Sequence, residues 1–151
     1  MSLHAAAKRG DLSVLRKLLA KGADVDEVDA CAERALGRRA SAARRRGRRE
    51  QGGFSWLLYT PLCVAAMNGH VTLVDALLRA GADKDAARDD GATPLYTAAQ
   101  NGHGNVVDAL LRAGVDKDKR HCTGASPLFV AAQGGKCDVV EMLLRAGVAA
   151  D

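Results

Sequence analysis

The chain has 151 residues, 48% of them apolar and 26% charged, the profile of one soluble globular unit of ordinary size. No run approaches the roughly 18 uninterrupted apolar residues that a membrane span needs. The opening MSLHAAAKRGDL also meets charge before a signal-peptide core can form, so an intracellular, cytoplasmic protein without a membrane partner is expected.

The first predicted unit occupies residues 2–29. Its Leu3, Ala6, Ala7, Gly10, Leu18, Leu19 and Gly22 stand at a constant offset of 59 from Leu62, Ala65, Ala66, Gly69, Leu77, Leu78 and Gly81. Lys8, Arg9, Arg16, Lys17 and Lys21 give it a polar character suited to capping one end of a stack. Downstream the period is 33, so an offset of 59 means that the first junction carries about 26 extra residues.

Those residues fall in the segment 30–59, CAERALGRRASAARRRGRREQGGFSWLLY with its flanking alanine. Eight arginines against Glu33 and Glu50 make it +6, which leaves −2 for the rest of a chain whose net charge is +4. The basicity therefore belongs to one segment and does not mark the whole domain as a nucleic-acid binder. Alanine and arginine favour helix while Gly37, Gly47, Gly52 and Gly53 interrupt it, and a partly helical or disordered solvated loop is expected. Other readings stand beside the plain loop. The cluster Arg44, Arg45, Arg46, Arg48 and Arg49, with Arg38 and Arg39 upstream, has the composition of a nuclear-import signal or a phosphate-binding patch, to which Trp56 would add stacking. Arg38, Arg39, Ala40 and Ser41 spell RRAS, a basic-directed kinase site with Ser41 as acceptor. A GC-rich intervening sequence translated at a repeat boundary would have the same composition, and sequencing the mature transcript decides that.

Three units in phase follow, at 60–92, 93–125 and 126–151. A step of 33 relates Thr60, Thr93 and Ser126; Pro61, Pro94 and Pro127; Gly69, Gly102 and Gly135; Leu77, Leu110 and Leu143; and Gly81, Gly114 and Gly147. In TPLYTAAQNGH, Thr93 is a helix cap, Pro94 takes the first helical position where its missing N–H costs nothing, and Gly102 ends the helix. Ala98 and Ala99 let neighbouring helices approach closely. A second helix, VVDALLRAG, places Val106, Val107, Leu110 and Leu111 at helical spacing and stops at Gly114. One such pair cannot bury its apolar face alone, so the units must stack. The last unit ends after its second helix, and Val139, Val140, Met142 and Leu143 are expected to leave an apolar end, open to self-association of an otherwise monomeric chain.

TPLCVAAMNGHVTLVDALLRAGADKDA and TPLYTAAQNGHGNVVDALLRAGVDKDK resemble ankyrin repeats: a TPLH-type start, an AA pair, GH at the turn, paired VV and LL, then GAD leading into a β-turn finger. The resemblance covers about 120 of the 151 residues. The 34-residue two-helix repeats lack the TPL start and the GAD exit. The implied fold is an all-α ankyrin repeat solenoid of stacked helix-turn-helix pairs. The histidine usual after TPL occurs as His4 and is replaced by Cys63, Tyr96 and Phe129, which alters local hydrogen bonding rather than fold.

Chemistry is sparse in this sequence. It holds no phosphate loop, no HExxH and no nucleophile elbow. His70 and His103 take the GH position, His4 the TPLH position, and His121 lies in a finger. Asp24, Asp26, Asp83, Asp85, Asp116 and Asp118 look like carboxylate pairs, yet they recur once per repeat where aspartate forms turns. Cys31, Cys63, Cys122 and Cys137 lack CxxC pairing and read as free thiols in small apolar roles. No catalytic residue, metal or cofactor is expected.

The resemblance implies a non-catalytic adaptor that grips another protein with its fingers and the exposed side of the first helices. The variable positions are Lys8, Arg9, Met67, Asn68, Gln100, Asn101 and Gln133 on first helices, and Asp89, Asp90, Ala92, Cys122, Thr123 and Ala125 at the junctions. Tyr96 and Phe129 are further anchors if their rings are exposed. The alternative is a nucleic-acid-binding or nuclear-targeted protein acting through the arginine segment.

Overall fold

The computed structural model describes residues 2–26, 59–88 and 90–148. Ser41, Arg38, Arg39, Arg44, Arg45, Arg46, Arg48, Arg49, Cys31 and Asp89 lie outside the described residues.

Each repeat begins with a capped helix. The hydroxyls of Thr60, Thr93 and Ser126 accept the backbone N–H of Cys63, Tyr96 and Phe129 at 3.3, 3.1 and 3.1 Å, and a proline follows each cap. Proline at the first helical position forfeits no hydrogen bond, and the cap satisfies a donor the helix cannot. Ser2 caps the first unit by accepting from Ala5 at 3.3 Å.

The resulting elements are α1 (Leu3–Arg9), α2 (Leu12–Ala20), α3 (Pro61–Met67), α4 (Val71–Arg79), α5 (Pro94–Asn101), α6 (Gly104–Arg112), α7 (Pro127–Gln133) and α8 (Cys137–Arg145). The first helix of each pair packs on the first helix of the next, giving the row α1, α3, α5, α7, and the second helices form the row α2, α4, α6, α8. Among the described residues the structure is all helix and connecting turn. The fold is the all-α ankyrin repeat solenoid.

Packing follows the repeated letters. Leu62, Leu95, Ala65, Ala66, Ala98, Ala99, Leu73, Val74, Leu77, Val106, Val107 and Leu110 are fully buried and line one continuous core. Paired alanines bring the first-row helices together without side-chain bulk. Gly69 shows how close the approach is. Its φ is +74°, and an added Cβ would sit 2.8 Å from Nδ1 of His103, which itself reaches the carbonyl of Met67 at 2.9 Å. His70 makes the same reach to the carbonyl of Lys8 at 3.3 Å. Each GH histidine thus hydrogen-bonds the end of the preceding repeat's first helix. In the last repeat Lys136 replaces the histidine and lays its methylenes over Gly102.

Two further ladders join the repeats outside the core. Asp24, Asp83 and Asp116 accept the backbone N–H two residues on, at 3.0, 3.0 and 3.2 Å, which makes them turn formers. Asp26 and Asp85 instead accept from the next finger, at the N–H of Asp83 (2.9 Å) and of Asp116 (2.7 Å). Lys84 donates to the carbonyl of Ala113 at 2.8 Å, and Lys117 donates to that of Ala146; each carbonyl lies at the C-terminal end of the following repeat's second helix. A cation there meets unsatisfied carbonyls and the negative end of the helix dipole.

The apolar end differs from the expectation in its membership. Val139 and Leu143 are buried, because they face back into α6 and the core. Among the described residues the exposed large apolar side chains are Phe129 at 52% and Leu144 at 49%. Ala132 is also exposed, whereas its counterparts Ala99 and Ala66, one and two repeats earlier, are fully buried.

Candidate functional site

The fingers are built by short hairpins. The N–H of Arg88 donates to the carbonyl of Ala92 at 3.0 Å, and that of His121 donates to Ala125 at 2.9 Å. Gly91 (φ +84°) closes the first turn. A Cβ on Gly91 would lie 3.1 Å from the backbone nitrogen of Cys122, so the second finger packs directly on the first. The N–H of Cys122 donates to the carbonyl of Asp90 at 2.7 Å and ties the two together.

Between the fingers and the first helices runs a column of rings and charges. The Arg88 guanidinium lies 4.2 Å from the centre of the Tyr59 ring and 2.9 Å from the Asp90 carboxylate. Nε2 of His121 lies 3.5 Å from the same carboxylate, and the imidazole stacks on Tyr96 with ring centres 5.0 Å apart and an interplanar angle of 14°. Burial, followed by the Asp90 charge, holds the Tyr96 phenol above the ordinary tyrosine range. The position after TPL is therefore a finger support: Nε2 of His4 reaches the carbonyl of Tyr59 at 2.5 Å, and the Cys63 thiol donates to Ala86 at 3.7 Å. Burial pushes the Cys63 thiol up and keeps it protonated.

The positions marked as variable divide by exposure. Lys8, Arg9, Asn68, Gln100, Asn101, Gln133, Cys122 and Thr123 are exposed, and Met67, Asp90 and Ala125 are half-buried. Ala92 is corrected: at 2% exposure it belongs to the core cluster, and its carbonyl closes the finger hairpin. Tyr96 is likewise buried beneath His121 and presents no anchor, whereas Phe129 is open. The side-chain amides of Asn68 and Asn101 donate to the carbonyls of Val64 and Thr97 at 2.8 Å each, so these residues stiffen their own helices. Cys122 and Cys137 are exposed free thiols, which corrects their assignment to apolar packing; Cys63 fits it.

Tyr59, Arg88 and His121 were missing from the variable set. Arg88 and His121 are 33 residues apart, so the period marks them as the same finger position. Tyr59 stands directly before the second repeat and was absorbed into the insertion.

Shallow grooves lie among the described residues. One, of about 400 Å³, is lined by Gly69, Gly102, His103, Gly104, Asn105, Asp138 and Met142. Another, of about 370 Å³, lies at the end of the stack beside Lys136, Val140, Glu141 and Leu144. Among the described residues no group of three His, Cys, Asp or Glu side chains is placed to hold a metal ion. No helix of the described residues is long and apolar enough to cross a membrane.

Comparison with protein families agrees with this geometry. A model of ankyrin repeats in three copies matches residues 58–151, and a second model of ankyrin repeats in many copies matches residues 3–44. No curated protein matches the chain. The chain belongs to the ankyrin repeat family. Ankyrin repeats are generally protein–protein interaction modules, and proteins built from them are generally not enzymes.

Proposed function

We propose that this chain is a non-catalytic adaptor that binds another protein through the exposed side of its first helices and its fingers. The observation that carries this reading is the contrast within the first helices α1, α5 and α7. In α5 the residues Pro94 through Ala99 are buried, while Gln100 and Asn101 are exposed, and the same division recurs in α1 at Lys8 and Arg9 and in α7 at Gln133. Stacking aligns these ends in one row on a rigid core, and the finger residues Cys122 and Thr123 add exposed polar groups. Asp90 and Ala125, half-buried, fit the edge of such a surface rather than its centre.

The proposed interface is polar, with Phe129 as its one large exposed ring. Few interface residues carry most of the binding energy, so substitutions should be chosen to obstruct rather than to trim. In an affinity capture from cell lysate, Gln100→Arg combined with Thr123→Arg is expected to remove specific partners while leaving the melting temperature unchanged. Partners retained at full strength by a folded double variant would contradict the reading.

A further inference from the structure

Cys122 does not stand alone at the tip of the second finger. Its Sγ lies 3.6 Å from Nδ1 of His121, and Nε2 of the same ring faces the Asp90 carboxylate at 3.5 Å. Three contacts hold that ring in one orientation. The imidazole is stacked on Tyr96. Asp90 is itself fixed by the N–H of Ala92 at 3.0 Å and by Arg88 at 2.9 Å. The backbone N–H of Thr123 donates to Nδ1 at 3.2 Å, and the Thr123 hydroxyl lies 2.9 Å from it. A backbone N–H aimed at Nδ1 assigns the lone pair to that nitrogen, where Thr123 and the Cys122 thiol share it, and the proton to Nε2, toward Asp90. A thiol, a base with its lone pair beside it, and a carboxylate that orients the base form the constellation that activates a nucleophile.

We propose that Cys122 is a modification site at which His121 acts as general base, and that it undergoes S-thiolation by small-molecule disulfides. The Cys122 sulfur attacks one sulfur of the disulfide as its proton passes to Nδ1 of His121. A protein S–S bond forms, the small molecule's S–S bond breaks, and the departing thiolate takes the proton from His121 and leaves as a free thiol. Asp90 stabilises the imidazolium in between. One thiol and one disulfide are consumed and one of each is produced, so no further oxidant enters. The inference is independent of the adaptor reading, although it would attach a bulky group to a finger that reading gives to a partner.

Cys137 supplies an internal comparison, since it is also exposed and its thiol donates to the carbonyl of Gly135 at 3.7 Å, with no imidazole hydrogen-bonded to it among the described residues. The folded chain is treated at neutral pH with glutathione disulfide and, in parallel, with uncharged iodoacetamide, and each cysteine is followed by peptide mass spectrometry. Cys122 is expected to react about tenfold faster than Cys137 with both reagents, a modest share of what a positioned base contributes in enzymes. His121→Phe keeps a ring over Tyr96 and removes the base, so it should bring Cys122 down to the Cys137 rate. Equal rates at the two cysteines of the unaltered protein, or a Cys122 rate unchanged in a folded His121→Phe variant, would overturn the proposal.

Discussion

Thr93 shows how much one hydroxyl decides. It is 1% exposed, accepts the N–H of Tyr96, and its carbonyl accepts from Thr97, so α5 starts where it does because of this residue. Thr93→Ala is expected to lower stability by about 1 kcal/mol, read from the urea midpoint, and Thr93→Ser to recover most of it. Asp11 caps α2 differently. The Ser13 hydroxyl, then the N–H of Val14, hold its carboxyl below the ordinary range. A group lowered on folding contributes stability above its unfolded value, and that contribution is lost as pH falls through the folded value. Asp11→Asn caps without titrating, so melting temperatures taken from neutral to strongly acidic pH should show the advantage of Asp11 over Asn shrinking on acidification. An advantage that grows would contradict this cause. The Thr93 cap was legible in the sequence because Thr or Ser before Pro recurs at a fixed step; the Asp11 cap has no such repeat. The column from Tyr59 to Tyr96 was not, since a ring stacked on a ring from the next finger leaves no trace in either segment alone.

At the scale of the element, each helix pair is held by its neighbours more than by itself. Helices of seven to nine residues are too short to persist alone in water. Leu110 is fully buried in α6, and Leu110→Ala is expected to cost about 2–5 kcal/mol by chemical denaturation, with the loss spread across the stack rather than confined to one repeat. The lysines that reach the next repeat's second helix are smaller contributors: Lys84→Met should cost about 0.3–1 kcal/mol, measured in the same way at low salt. The sequence already displayed both sets. Leu77, Leu110 and Leu143 were readable as core from their step of 33, and Lys84 and Lys117 share that step, yet a charged residue in a turn ordinarily reads as a solvated surface group. The replacement of the TPL-following histidine was correctly expected to change hydrogen bonds rather than fold. What each substitute touches required coordinates: a backbone carbonyl for His4 and Cys63, and an imidazole face for Tyr96.

For the whole molecule, a stack of nearest-neighbour contacts offers a row of similar surface positions instead of one enclosed pocket, which is why the candidate site was legible as a pattern and not as a constellation. The periodic variable positions could be listed from the sequence, but burial could not, and Ala92 was misplaced because a small residue beside a turn gives no sign of the hairpin that encloses it. The segment 30–59 stands apart from this pattern in charge and in length. Loop-closure cost rises only with the logarithm of length, about 0.6 kcal/mol per doubling, so shortening this junction should leave the stack folded. The most direct test of the adaptor reading is therefore nuclease-treated affinity capture with the intact chain and with a chain lacking residues 31–56. The same specific proteins captured by both, and lost with Gln100→Arg plus Thr123→Arg, is the predicted result. Capture that disappears with the segment or with nuclease, and survives the surface substitutions, would place the activity in the arginines and contradict it.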